Sequence, residues 1–133
     1  NKAHMASMIY RLATQMIEGK RPRIFTDGEQ ARDHVYVGDV VDATIAGADD
    51  GARSGVYNVG FGRATTFNQI VAALNEALGT KLEPDYFENP YAFYQDYTCA
   101  DLSATKKGLN WSPRHEPHDA IVAYARSLKD GKI

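Results

Sequence analysis

Four groups of residues in this chain carry side chains suited to chemistry. Arg32 and Asp33 stand side by side just before a short apolar run and the Gly38-Asp39 turn signal. An arginine fixed on a strand edge can hold a phosphate, because its planar fork meets two oxygens at once. The same pair can equally be an exposed ion pair or a turn-fixing carboxylate. Gly60-Phe61-Gly62 follows an apolar run and precedes a helix pattern, as a phosphate-cradling loop does. The third glycine of a dinucleotide fingerprint is missing, so a tight turn explains it as well. Tyr91, Phe93, Tyr94 and Tyr97 lie close to Asn89 and Gln95. Aromatic faces beside amides suit the stacking of a base or sugar, and packing of a long loop would use some of the same residues. His115 and His118 have a metal-compatible spacing, but Pro117 lies between them and no third ligand is evident, so no metal is expected.

The elements that must position these groups can be traced from periodicity. Met5, Met8, Ile9, Leu12 and Met16 recur at helical spacing, with Gly19 as the stop and Pro22 beyond it. Arg23-Ile24-Phe25 reads as a short strand closed by the Asp27-Gly28 turn, and residues 34–37 as a second strand. A helix is expected over 40–48, capped by Asp39, with Val41, Ile45 and Ala48 on its apolar face. Val56 to Val59 reads as a strand leading into the glycine pair. Phe67, Ile70, Val71, Leu74 and Leu78 give the strongest amphipathic pattern. Thr66 and Gln69 form a capping box before it, and Gly79 closes it. A strand is expected within 82–87. A short helix should run from the Asp101 cap through Lys107 to Gly108, and a last helix should begin at Pro117 with Ile121, Ala125 and Leu128 on one face. Alternating strands and helices predict an α/β fold with a short mixed sheet and packed helices.

Composition narrows the classes. The chain has 133 residues, which fits a single domain over 1–133. Fifteen Lys plus Arg against 17 Asp plus Glu leave a net charge of −2, and no basic stripe dominates, so a nucleic-acid partner is not expected. The Lys20, Arg21, Arg23 cluster is either a solvated loop or a seat for a small anion. Hydrophobic residues at 44% and charged residues at 24% describe a globular chain. One cysteine, Cys99, excludes an internal disulfide. No membrane span or secretory leader is expected, which points to the cytoplasm.

The order of motifs resembles a known family. Arg32-Asp-His-Val-Tyr-Val-Gly-Asp39 is followed by Gly55-Val-Tyr-Asn-Val-Gly-Phe-Gly62 and then a Thr-initiated amphipathic helix. This is similar to the C-terminal part of the extended short-chain dehydrogenase/reductase family, the nucleotide-sugar epimerases and dehydratases. Those enzymes carry Arg-Asp-x-x-x-Val-x-Asp and Asn-x-Gly-x-Gly at this separation. Two further stretches resemble the ADP-L-glycero-D-manno-heptose 6-epimerases within it: Lys2-Ala-His-Met-Ala-Ser7 and Tyr94-Gln-Asp-Tyr-Thr-Cys-Ala-Asp-Leu102.

The resemblance implies a C-terminal substrate domain whose dinucleotide-binding Rossmann half is not in this chain. It implies an isomerase of carbohydrate metabolism that supplies lipopolysaccharide precursors. Such an enzyme uses a tightly held NADP to oxidise and re-reduce C6″ of an ADP-sugar, and a homo-oligomer is expected. Lys2 matches a catalytic acid/base, a role that requires a lowered lysine pKa. Arg32 matches the residue that holds the ADP diphosphate. Phe25, Thr26, Asp27 and Gly28 match the loop along the nucleotide, and Tyr94 matches a substrate-binding tyrosine. His4 stands in place of a small polar substrate-contacting residue, and Arg11 in place of a histidine on the helix, where it either adds to substrate phosphate binding or is a solvated helix residue. No tyrosine here has a lysine four residues on, and no Gly-x-x-Gly-x-x-Gly loop occurs. The isolated chain is therefore expected to bind but not to catalyse. A UDP- or dTDP-hexose epimerase or dehydratase domain, or a non-catalytic binding module, are the alternatives.

Overall fold

A computed structural model describes residues 7–132. Lys2, His4 and Met5 lie outside the described residues. The elements are α1 (Met8–Ile17), β1 (Arg23–Phe25), β2 (Ala31–Asp33), α2 (Val37–Gly47), β3 (Ala64–Thr66), α3 (Phe67–Leu78), β4 (Asp85–Phe87), α4 (Ser103–Leu109) and α5 (Pro117–Lys129). The class is α/β, as the alternation predicts. The strands form two two-stranded sheets, β1 with β4 and β2 with β3. The chain divides into two compact units. One holds residues up to Gln30, 66–96 and from His118 onward; the other holds 31–65 and 97–117.

The first unit is built around α3. The Thr66 hydroxyl accepts the Gln69 N–H, and the Gln69 side chain accepts the Thr66 N–H, so the capping box closes as its sequence demands. Gly79 ends the helix in the left-handed region at φ 68°. Phe67, Ile70, Val71, Leu74 and Leu78 are all buried, and Leu12 and Met16 of α1 and Ile121 and Ala125 of α5 share their core. Each large side chain in that core contributes about 1.5–3 kcal/mol by leaving water. Pro117 opens α5 where its missing N–H costs nothing, and the Lys129 ammonium donates to the carbonyl of Leu78 at the end of α3. β1 and β4 run parallel, with Ile24 opposite Tyr86 and Phe25 opposite Phe87.

The second unit departs from the periodicity in three places. The strand is Ala31–Asp33 rather than 34–37, because β3 pairs there and α2 already begins at Val37. The buried face of α2 carries Asp39 and Ala43, while Val37, Val41 and Ile45 are exposed. Asp39 does not cap the helix; it lies in the first turn and reaches backward to Arg114 and His115. Residues 56–59 form no ladder among the described residues, since β2 takes β3 as its neighbour. The small core here is Ala43, Leu102 and Trp111. α4 ends on Asn110 in the left-handed region rather than at Gly108. Gly108 is instead a close approach, where a Cβ would meet the Tyr57 hydroxyl at 2.2 Å.

Candidate functional site

In the first unit, a cleft of about 360 Å³ opens between α1, β1 and the segment that follows β4. Two turns of α1 supply Met8, Arg11, Leu12 and Gln15. Helical spacing of three and four residues places them on one face. β1 supplies Phe25, and the parallel register sets Phe87 directly beside it. Their rings meet edge to face at 5.0 Å. Tyr94 also meets Phe25 edge to face at 5.0 Å, and Tyr91 at 6.2 Å. Phe25 is therefore the hub of an aromatic wall, in geometries each worth about 0.5–1.5 kcal/mol beyond area burial.

Two guanidinium groups border that wall. Arg11 is exposed on α1. The Arg23 carbon lies 4.5 Å from the centre of the Phe87 ring, and its Nε lies 3.5 Å from the Asp85 carboxylate. Apolar faces for a base or sugar, with cations beside them for phosphate, make a site suited to an anionic nucleotide-like ligand. Arg23 was legible as a strand residue and as a member of the Lys20, Arg21, Arg23 cluster, either a solvated loop or a seat for a small anion. The signal was there: strand residues two apart share a face, so a functional Phe25 implies Arg23.

The predicted loop along the nucleotide leaves β1 at Phe25. Thr26 and Asp27 line a second recess of about 380 Å³ with Glu29, Gln30 and Asp96. Asp27 accepts the Glu29 N–H at 3.1 Å, and the Gln30 amide donates to the Thr26 carbonyl at 2.7 Å. Gly28 adopts φ 81°, and a Cβ there would lie 2.1 Å from the Asn68 Oδ1. Both facts require glycine.

Of the predicted site residues, Arg11, Phe25 and Tyr94 come together in the cleft, and Thr26, Asp27 and Gly28 continue from it along the loop. Lys2 and His4 fall outside the described residues. Arg32 belongs to the second unit, on β2, where its Nη1 donates to the Ala31 carbonyl at 2.9 Å.

Its neighbour Asp33 is a turn-fixing carboxylate, one of the readings open for the Arg32-Asp33 pair. Its carboxylate accepts the N–H groups of Phe61, Gly62 and Ala100 at 2.7, 2.9 and 3.1 Å. A Cβ at position 60 would sit 2.7 Å from Ala100 Cβ and 2.9 Å from an Asp33 oxygen. The glycine pair is thus explained by the close approach of a carboxylate. The amides that would cradle a dinucleotide phosphate already hold an anion, so Gly60-Phe61-Gly62 does not fit that cofactor.

The histidines are engaged within their own units. His115 Nδ1 contacts the Asp39 carboxylate at 2.8 Å. His118 bridges Glu76 at 2.6 Å and Asp119 at 3.0 Å, and these carboxylates raise its pKa. His34 is pushed the other way: burial lowers its pKa and Arg32 adds to the effect, while Asp33 opposes them. Among the described residues no group of three His, Cys, Asp or Glu side chains is arranged to hold a metal. Nor is any helix there long and apolar enough to cross a membrane.

The fold is that of part of the sugar-nucleotide epimerases and dehydratases. Residues 1–60 match the model of the NAD dependent epimerase/dehydratase family. The chain is 30% identical to UDP-glucose 4-epimerase of Thermotoga maritima, solved with UDP-glucose. That match has a TM-score of 0.84 and covers 96% of this chain and 41% of that one. It is 33% identical to ADP-L-glycero-D-manno-heptose-6-epimerase of Helicobacter pylori, with a TM-score of 0.80, over 94% of this chain and 38% of that one. UDP-glucuronic acid 4-epimerase of Bacillus cereus, solved with UDP-glucuronic acid and NAD, matches at 26% identity and a TM-score of 0.80, over 92% and 40% of the two chains. The chain thus spans about two fifths of the length of these solved relatives.

Proposed function

We propose that this chain is the substrate-binding part of an NADP-dependent sugar-nucleotide epimerase of the extended short-chain dehydrogenase/reductase family. Its proposed reaction converts ADP-D-glycero-D-manno-heptose to the L-glycero epimer. The observation that carries this reading is the convergence of Arg11, Phe25 and Tyr94 on one cleft. Phe25 and Tyr94 match substrate-contacting positions of the family, and Arg11 stands where the family has a histidine. The aromatic wall takes the adenosine or sugar faces, and the Arg11 guanidinium takes phosphate oxygens. Arg32 holds the diphosphate and Lys2 acts as one acid/base. The described residues offer no dinucleotide loop, so NADP is assigned to residues beyond this chain, and the chain alone binds without turnover. The working enzyme is proposed to be a cytoplasmic homo-oligomer.

A second reading has its own support. The UDP-glucose 4-epimerase match has a higher TM-score than the heptose enzyme, 0.84 against 0.80. A UDP-hexose substrate would use the same cleft. Isothermal titration of the chain with ADP and with UDP separates the two. Tighter binding of ADP supports the heptose reading, tighter binding of UDP supports the hexose reading, and binding of neither sinks both. Epimerisation of ADP-heptose by this chain with added NADP would overturn the assignment of the cofactor to residues elsewhere.

A further inference from the structure

Besides its own turn bonds, the loop Asp27-Gly28-Glu29 is tied to α3 by one residue that no motif points to. Asn68 sits in the first turn of α3, half-buried. Its backbone N–H donates to the Gly28 carbonyl at 3.0 Å. Its side-chain nitrogen donates to the Asp27 carbonyl at 3.2 Å and to a Glu29 carboxylate oxygen at 2.7 Å. Its side-chain oxygen accepts the Tyr86 hydroxyl at 2.8 Å. With the oxygen taken by a donor and the nitrogen facing two acceptors, the amide has one satisfied orientation. The packing leaves no slack: a Cβ on Gly28 would overlap that amide.

We propose that Asn68, oriented by Tyr86, is a positioning residue that sets the loop Thr26–Glu29 for nucleotide binding. This rests on the reading of Phe25 to Gly28 as the loop along the nucleotide. The physical case is local. Thr26, Asp27 and Glu29 are exposed and only the side-chain-less Gly28 is buried, so the loop gains little order from side-chain burial. A loop with its ends fixed but its middle unheld samples many conformations, and a ligand must then bear the ordering cost. Asn68 bonds the backbone of two successive loop residues and the side chain of a third. All of these contacts come from a helix whose start is locked by its own capping box. Tyr86 lies on β4, one residue before Phe87 of the aromatic wall, so the same strand supports both the loop and the cleft.

The arrangement predicts a charge-sensitive rescue. Asn68→Asp keeps the oxygen that accepts from Tyr86 but sets a carboxylate against Glu29. It should weaken nucleotide binding about 10-fold or more, on the scale of losing a charge-assisted bond and gaining repulsion. Adding Glu29→Gln restores a donor facing the new carboxylate and should recover most of that loss. Tyr86→Phe should give a smaller loss. The measurement is isothermal titration with ADP and UDP, paired with amide exchange of Gly28 and Glu29 and the melting temperature of each variant. Faster exchange in Asn68→Asp, reversed in the double variant, with affinity tracking exchange rather than melting temperature, is the expected result. A melting-temperature loss that the second substitution does not repair, or unchanged exchange at Gly28 and Glu29, overturns the proposal. Should the unsubstituted chain bind neither nucleotide, the nucleotide reading fails, while the exchange data still decide whether Asn68 orders the loop.

Discussion

The Asp39 carboxylate and the His115 ring nitrogen Nδ1 lie 2.8 Å apart, with Asp39 only 1% exposed. The same carboxylate accepts the N–H groups of Arg114 and His115 at 3.1 and 3.0 Å. A buried charge is tolerable when its lone pairs are met this fully. Burial works to raise the Asp39 pKa, but the His115 ring and the two backbone donors favour the anion and leave it below the ordinary value. A depressed carboxylate stabilises the folded state above its unfolded pKa, and that stability is lost as pH falls through the folded one. Acid unfolding should therefore steepen below about pH 4. Asp39→Ala should cost about 2–3 kcal/mol, since it strands two N–H groups. Chemical denaturation of the variant and of the unsubstituted chain, from pH 7 to pH 3, measures both; equal stability at pH 7 would refute the clamp.

Asp33 joins three stretches of chain through three backbone amides. Asp33→Ala should destabilise the chain by about 2–4 kcal/mol and speed amide exchange at Phe61, Gly62 and Ala100 specifically. Because the loop Gly60–Gly62 is assigned to this carboxylate and not to a cofactor, adding NADP should leave exchange at those amides unchanged in the unsubstituted chain.

His118 has the opposite pH sign. Its pKa is raised by hydrogen bonds to Asp119 on its own helix and Glu76 on α3. A raised histidine contributes fully below its unfolded pKa, and the contribution fades as pH rises through the folded value. The contribution is therefore lost above about pH 6.5. All three side chains are more than half exposed, so the effect should be small and screened by salt. His118→Gln should flatten the slope of stability between pH 6 and pH 8, read by thermal melts at low and high ionic strength.

Arg11 is exposed and borders the cleft without joining the core. Arg11→Ala should weaken nucleoside diphosphate binding about 10- to 150-fold, the range of one charged hydrogen bond, and leave the melting temperature within a degree or two. Leu74→Ala makes the contrasting case. Leu74 is fully buried in α3, so the substitution should cost about 2–5 kcal/mol of stability. Equal effects of the two on melting would refute the separation of site from core.

Several local elements were legible because a signal and its satisfaction lie within one turn, although the expected cap at Asp39 and the expected stop at Gly108 did not form. The capping box at Thr66, the stop at Gly79, the apolar face of α3 and the start of α5 at Pro117 all formed as their residues require. The α2 face did not. Periodicity assigns Val41 and Ile45 to the core, but Asp39 is buried and those two are exposed. The reason lies more than seventy residues away, in the backbone of Arg114 and His115. An unpaired amide costs as much as an apolar contact gains, and no window of sequence can show where that amide will lie.

Sequence alone determined the α/β class, the bounds of α3 at Thr66 and Gly79, the start of α5 at Pro117, and the set of residues that resemble a nucleotide-sugar site. Tertiary structure decided which of those residues meet. It brought Arg11, Phe25 and Tyr94 to one cleft and added Arg23 and Phe87 through strand register. It turned Gly60-Phe61-Gly62 from a candidate phosphate loop into the seat of Asp33. Motifs specify residue types along the chain, whereas hydrogen bonds and ring contacts depend on which distant segments the buried core brings within 3–5 Å of each other.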